Sequence, residues 1–150
     1  MLDPLLTENP ALRVYATVAL LLVLKIAGVC LYTTYLRMSR RVYATPEDYT
    51  LQRLHPSHTR DEDIERVRRA HLNDLENILP FLTVGFLFAL TRPSLTVARV
   101  FYWGYFGARV LHTVFYVRGK QPHRTIAFVV AGVLTITMVV FTLAGLGTAG

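Results

Sequence analysis

Apolar residues in this chain gather into four long segments, and turn-forming residues separate them. The first runs from about residue 12 to 36, with Lys25 as its only interior charge. The second covers about 72–90; it is built on Leu75–Leu90 and starts earlier as a polar helix. The third covers about 95–117 and the fourth about 125–146. Each supplies roughly 20 residues, enough at 1.5 Å per residue to cross a ~30 Å hydrocarbon layer. Backbone groups in lipid must be satisfied within the segment, so the pattern predicts helices and not strands. Asn9-Pro10 opens the first helix, Thr91-Arg92-Pro93-Ser94 turns the second into the third, and Arg118-Gly119-Lys120-Gln121-Pro122 separates the third from the fourth. One connection is long, about 37–61. Within it, Thr45-Pro46-Glu47-Asp48 reads as an N-cap, a proline at N1 and acids in a first helical turn. The fold class predicted is all-α: a single membrane-spanning four-helix domain over residues 1–150.

Polar residues inside these segments are not scattered. Arg66, Arg69, Asn73 and Glu76 are spaced 3, 4 and 3 apart, which places them within roughly an 80° arc of one helix face, away from Leu72, Leu75 and Leu79. Tyr102, Tyr105, Arg109, His112 and Tyr116 repeat the pattern in the third segment. Arg109 stands mid-span, where an arginine costs at least ~3 kcal/mol. Two readings follow. Arg109 pairs with Glu76 across helices and fixes packing, or the stripes line an internal site for an anionic, hydrogen-bonding ligand. The second also gives a purpose to Asn73, His112, Tyr116 and the Arg68-Arg69 pair. Lys25 either snorkels or reaches the same interior.

Composition supports a membrane chain: 53% hydrophobic, 17% charged, mean hydropathy +0.38. The net charge of +6 does not point to nucleic acid, because the basic residues form no open patch. They follow the positive-inside bias instead. Residues 37–69 hold eight Lys and Arg and residues 118–124 hold three, against Arg13, Arg92 and Arg99 on the opposite side. The long loop is therefore placed in the cytoplasm and both termini across the membrane. The first apolar segment lacks a basic n-region and reads as a retained span. The single cysteine, Cys30, excludes an internal disulfide and reads as a packing residue. No metal site is expected: His71 and His112 belong to no ligand-spaced set, and His55, His58 and His123 read as loop residues. Ser39, Ser57 and Ser94 sit in no nucleophile elbow.

The run from Glu65 to Ile78, ERVRRAHLNDLENI, followed by Pro80-Phe81, resembles the signature of the membrane-associated proteins of eicosanoid and glutathione metabolism, the MAPEG family. Ala44–Asp48, Gly107–Thr113 and Gln121–Arg124 are similar to further family pieces in the same order, so the resemblance spans roughly residues 20–130. It implies a homotrimer with glutathione, as co-substrate or cofactor, in clefts between neighbouring subunits that open to the cytosol. The contacts carried over are Arg37, Arg68, Arg69, His71, Asn73, Glu76, His112 and Tyr116. Arg124 would stabilise the thiolate, with the hydroxyl of Thr125 beside it where prostaglandin-synthesising members carry serine. Asp48 matches an acid implicated in those isomerases.

The activity implied is glutathione transfer to lipophilic electrophiles drawn from membrane lipid, with a peroxidase activity as a companion. The alternatives are a glutathione-dependent isomerase that makes prostaglandin E from its endoperoxide, or a non-catalytic lipid-binding member. The membrane would be the endoplasmic reticulum in a eukaryote and the inner membrane in a bacterium.

Overall fold

The computed structural model describes residues 3–55 and 61–147; the readings made at Ser57 and His58 fall outside them. The described residues form six helices: α1 (Asp3–Glu8), α2 (Pro10–Arg40), α3 (Pro46–Leu51), α4 (Glu62–Leu90), α5 (Leu95–Val117) and α6 (His123–Gly147). The four long ones pack as a bundle, with α5 against α6, α2 against α4 and α5, and α4 against both α5 and α6. By length and apolar composition α2 and α6 are each able to cross a membrane; charges interrupt the other two.

Local chemistry sets the ends. Asn9 caps α2 with Oδ1 accepting from the Leu12 amide at 3.1 Å, and its Nδ2 donates to the Ala89 carbonyl at 2.9 Å, so the start of α2 is fastened to the end of α4. Arg41 closes α2 in the left-handed conformation (φ 57°). Arg37 thus lies in helix, where the sequence suggested loop. Asp61 caps α4 by accepting from the Asp63 and Ile64 amides, and Ser94 caps α5. His123 opens α6 and is not a loop residue.

Along α4 the buried positions are Ile64, Val67, Ala70, Asp74, Ile78, Phe81, Gly85, Phe88 and Ala89. The 3–4 spacing from Ile64 to Phe88 is that of one helix face. Tyrosines of α2 and α5 meet this face and donate to its backbone. Tyr15 reaches the Leu82 carbonyl at 2.8 Å, Tyr102 that of Gly85 at 2.8 Å, and Tyr105 that of Asn77 at 2.9 Å. A buried phenol needs such a partner. Gly85 lets the rings approach: a Cβ there would lie 3.1 Å from the Tyr15 ring. Tyr102 and Tyr105, part of the polar stripe read from sequence, therefore serve packing. The α4 positions Leu72, Leu75 and Leu79 are exposed and supply an apolar outer surface.

The centre of the bundle is ionic. Asp74 is wholly buried and accepts from Arg109 Nη2 at 2.5 Å through one oxygen and from Lys25 Nζ at 2.5 Å through the other. Thr113 accepts from Lys25 at 2.6 Å and donates to Asp74 at 3.1 Å. Three helices are joined at one carboxylate. This corrects the pairing suggested by sequence: the partner of Arg109 is Asp74, and Glu76 lies exposed. It also settles Lys25, which turns inward. Removing one member of a buried ion cluster strands the others. Asp74→Leu is expected to lower stability by about 3–5 kcal/mol, read by thermal unfolding in detergent; a variant as stable as the parent would show the cluster to be dispensable.

At the start of α4, Arg40 donates to both Asp61 oxygens, at 2.7 and 2.8 Å. That contact, with the Ile64 amide, holds the Asp61 carboxyl below its ordinary value of 3.8. A depressed carboxyl stabilises the fold above its unfolded pKa and loses that contribution as pH falls through the folded value. Amide protection at Asp63 and Ile64 is expected to persist at the ordinary carboxyl value of 3.8 and to fall only at lower pH; protection unchanged across the acid range would remove Asp61 as the cap.

Candidate functional site

Two polar cavities flank α4. The first, about 220 Å³, lies between α4, α5 and α6 and is lined by Asn73, His112, Tyr116, Arg124, Thr125 and Phe128. The second, about 230 Å³, lies between α2 and α4 and is lined by Cys30, Thr33, Thr34, Arg37, Arg68 and His71. His71 and Asn73 sit two positions apart, about 200° round a helix at about 100° per residue, so α4 turns them to opposite sides. Of the residues expected to form one site, five surround the first cavity and three the second. Arg69 and Glu76 are exposed and line neither, and Asp48 lies half-buried on the separate short helix α3. Cys30 is exposed at the second cavity, which corrects its reading as a packed residue.

The first cavity is built on the start of α6. Arg124 lies over the Tyr116 ring, with its guanidinium carbon 4.5 Å from the centroid, a cation–π contact. Gln121 fixes both Arg124 and Thr125. A guanidinium only donates, so the Gln121 amide oxygen faces it, accepting from Nη2 at 2.6 Å and Nε at 3.1 Å, while the amide nitrogen donates to Thr125 Oγ1 at 2.9 Å. Thr125 then accepts from Gln121 and keeps its own proton free to donate. Behind the cavity, Arg109 Nη2 donates to the Asn73 carbonyl at 3.2 Å and to Asn73 Oδ1 at 3.0 Å. His112 packs its ring against Tyr116 and Phe128, at 5.5 and 6.0 Å between centroids.

Buried polar atoms without a partner lie at both cavities, His112 Nδ1 at the first and Arg37 Nε and His71 Nδ1 at the second, while Arg109 Nε and Nη1 are unpartnered in the bundle core and face neither cavity. Such atoms are costly unless something pairs with them. Arg37 Nε donates from a cation, and Arg68 and Arg124 add two more guanidinium groups to the linings. This chemistry fits a ligand that carries carboxylates, and glutathione, with two carboxylates and one ammonium, is of that kind.

Sequence reasoning missed Asp74 and Gln121. Asp74 was legible from its register: it is the only carboxylate in step with Val67, Ala70, Ile78 and Phe81, and mid-span Lys25 and Arg109 both required a counter-ion. Gln121 gave no such signal, since its role depends on how the α5–α6 turn folds back.

A bundle of long apolar helices, joined by a buried ion cluster and flanked by two polar cavities, defines an α-helical membrane protein. The MAPEG family profile matches residues 15–144, and the chain belongs to that family. It is 37% identical to rat (Rattus norvegicus) microsomal glutathione S-transferase 1 over 138 residues, 89% of each chain. To the human (Homo sapiens) protein of that name it is 35% identical over 136 residues, 87% of this chain and 88% of the other. It is also 36% identical to human prostaglandin E synthase over 129 residues, 85% of this chain and 84% of the other.

Gln121→Ala frees both Arg124 and Thr125. Because Gln121 is exposed, the melting temperature is expected to stay within about 2 °C, the range of a surface substitution. Glutathione affinity, read by calorimetry, is expected to fall; unchanged affinity would show that Arg124 needs no such support.

Proposed function

We propose that this chain is a glutathione-dependent membrane enzyme whose reaction is transfer of glutathione, as thiolate, to lipophilic electrophiles. The observation that carries the reading is the cavity at the start of α6, where Arg124 and Thr125 are oriented by Gln121 and meet Asn73, His112 and Tyr116. Relatives named for glutathione transfer, similar over nearly nine-tenths of their length, support it.

Thiol activation follows from the residues present. A free cysteine-type thiol has a pKa near 8.5, so only a minority is thiolate at neutral pH. The Arg124 charge and the partial positive charge at the α6 N-terminus both favour the anion. The free hydroxyl proton of Thr125 adds a donor. Each unit of lowering is worth about 1.4 kcal/mol. Phe128 gives the cavity one apolar wall, against which a lipophilic co-substrate from the bilayer would lie. Bringing the two together and holding the thiol ionised is the whole of the catalysis; the chain supplies no nucleophile of its own.

The remaining contacts come from a second copy. Arg37, Arg68 and His71 face away from Arg124 across α4, so one chain cannot put all of them on one small ligand. In a homotrimer the α2–α4 cavity of one subunit lies against the α4–α6 cavity of the next. Its cations then take the carboxylates, with Arg69 at the rim and Glu76 taking the ammonium. The site opens to the cytosolic side, where the long loop and Asp48 lie. Four spans, residues 12–36, 72–90, 95–117 and 125–146, set that depth.

A second reading has its own support. Identity to human prostaglandin E synthase equals that to the human transferase within one per cent, and the acid at Asp48 is present. In that case glutathione would serve endoperoxide isomerisation.

Arg124→Ala is expected to keep the oligomer and to lower conjugation of a lipophilic electrophile at neutral pH by about tenfold, one pKa unit's worth. Activity should return as pH is raised. Full activity at neutral pH would remove Arg124 as the thiolate partner, and isomerisation without conjugation would favour the second reading. Glu76→Ala is expected to weaken glutathione binding in calorimetry, and unchanged affinity would show that Glu76 does not meet the ammonium.

A further inference from the structure

Arg109 is the largest fully buried side chain in the described structure, and thiolate activation makes no use of it. Its Nη2 holds three acceptors: Asp74 Oδ1 at 2.5 Å, Asn73 Oδ1 at 3.0 Å and the Asn73 carbonyl at 3.2 Å. The Asn73 carbonyl also accepts from Asn77 Nδ2 at 2.8 Å. Asn73 alone among these lines the α4–α6 cavity with Arg124.

An asparagine amide can present either its oxygen or its nitrogen to a neighbour. A guanidinium removes the choice, because it donates on every nitrogen and accepts on none. With Oδ1 turned to Arg109, Nδ2 is left for the cavity, and it has no partner among the described residues. Arg109 cannot swing away, since Asp74 grips it and is itself gripped by Lys25 and Thr113.

We propose that Arg109 is a positioning residue: by engaging Asn73 Oδ1 it fixes the Asn73 amide as a donor into the cavity, aimed at a carboxylate or carbonyl oxygen of the bound ligand. The ion cluster at the bundle centre thereby sets the polarity of one contact in the binding site. This rests on the reading of the cavity as a glutathione site. It adds that Arg109, which touches no ligand, acts on affinity through Asn73.

The test uses purified full-length chain in detergent and glutathione itself as the probe, with binding read by calorimetry and stability by melting temperature. Asn73→Asp keeps an acceptor against Arg109 but has no N–H to offer. It is expected to fold with a melting temperature no lower than the parent's and to bind glutathione at least tenfold more weakly. Arg109→Lys is expected to weaken binding by about tenfold in the parent, the lower end for a hydrogen bond to a charged group, and by less than twofold when Asn73 is already alanine. A structural role alone would lower stability and give equal losses of affinity in both backgrounds, and that result overturns the proposal. So does parent-like glutathione affinity in Asn73→Asp, which decides the matter even if Arg109→Lys fails to fold. Absence of binding by the parent chain would remove the glutathione reading together with this inference, whereas a parent that binds and variants that bind equally would remove this inference alone.

Discussion

A single carboxylate buried among three helices governs this molecule. Asp74 and Arg109 have no exposed surface, and Lys25 is mostly buried. Each charge alone would cost several kcal/mol to hold there. Together they leave α2, α4 and α5 little freedom to slide or rotate, because a shift of one helix would strand at least two charges. Apolar packing in a bilayer is forgiving about register, since lipid tails replace side-chain contacts at little cost. The ion cluster is not forgiving. The tyrosine hydroxyls on α4 carbonyls add contacts of the same directional kind further along the bundle.

With register fixed, α4 becomes a divider. One flank carries Asn73 towards Arg124 and the start of α6; the other carries Arg68 and His71 towards Arg37 on α2. Polar atoms left unpaired at both cavities call for a partner. In the proposed homotrimer, a ligand with carboxylates held between copies of the chain would supply it. Its binding would then also cement the assembly, since it would join cations of one copy to the thiol-facing residues of the next.

The sequence made the helical class plain, because spans of some twenty apolar residues admit few other structures. The residue types that line the two cavities stood out as well, since Arg, His and Asn in lipid-length segments need a reason. Pairings were not. Glu76 offered itself as one possible partner of Arg109 because both lie on the visible polar stripes, while Asp74 is hidden beside Asn73 in a run of polar residues. Spacing along a helix tells which residues share a face. Which faces meet depends on rotation about each axis, and here the buried charges themselves set it. The split of the site residues over two flanks was likewise implicit in helical angles at residues 68, 71 and 73, yet had no meaning before α2 and α6 were placed. The Gln121 clamp depends on a turn folding back on the first turn of α6, a relation that no periodicity encodes.

Ultraviolet difference absorbance of the thiolate, recorded while the purified detergent-solubilised chain is titrated with glutathione at neutral pH, tests the central claim most directly. A signal that saturates with glutathione, with an amplitude matching the number of sites, is the result expected of a cavity that binds and ionises the thiol. Absence of a thiolate signal, with glutathione nonetheless bound in calorimetry, would contradict activation at Arg124; absence of both would leave the cationic cavities to some other anion.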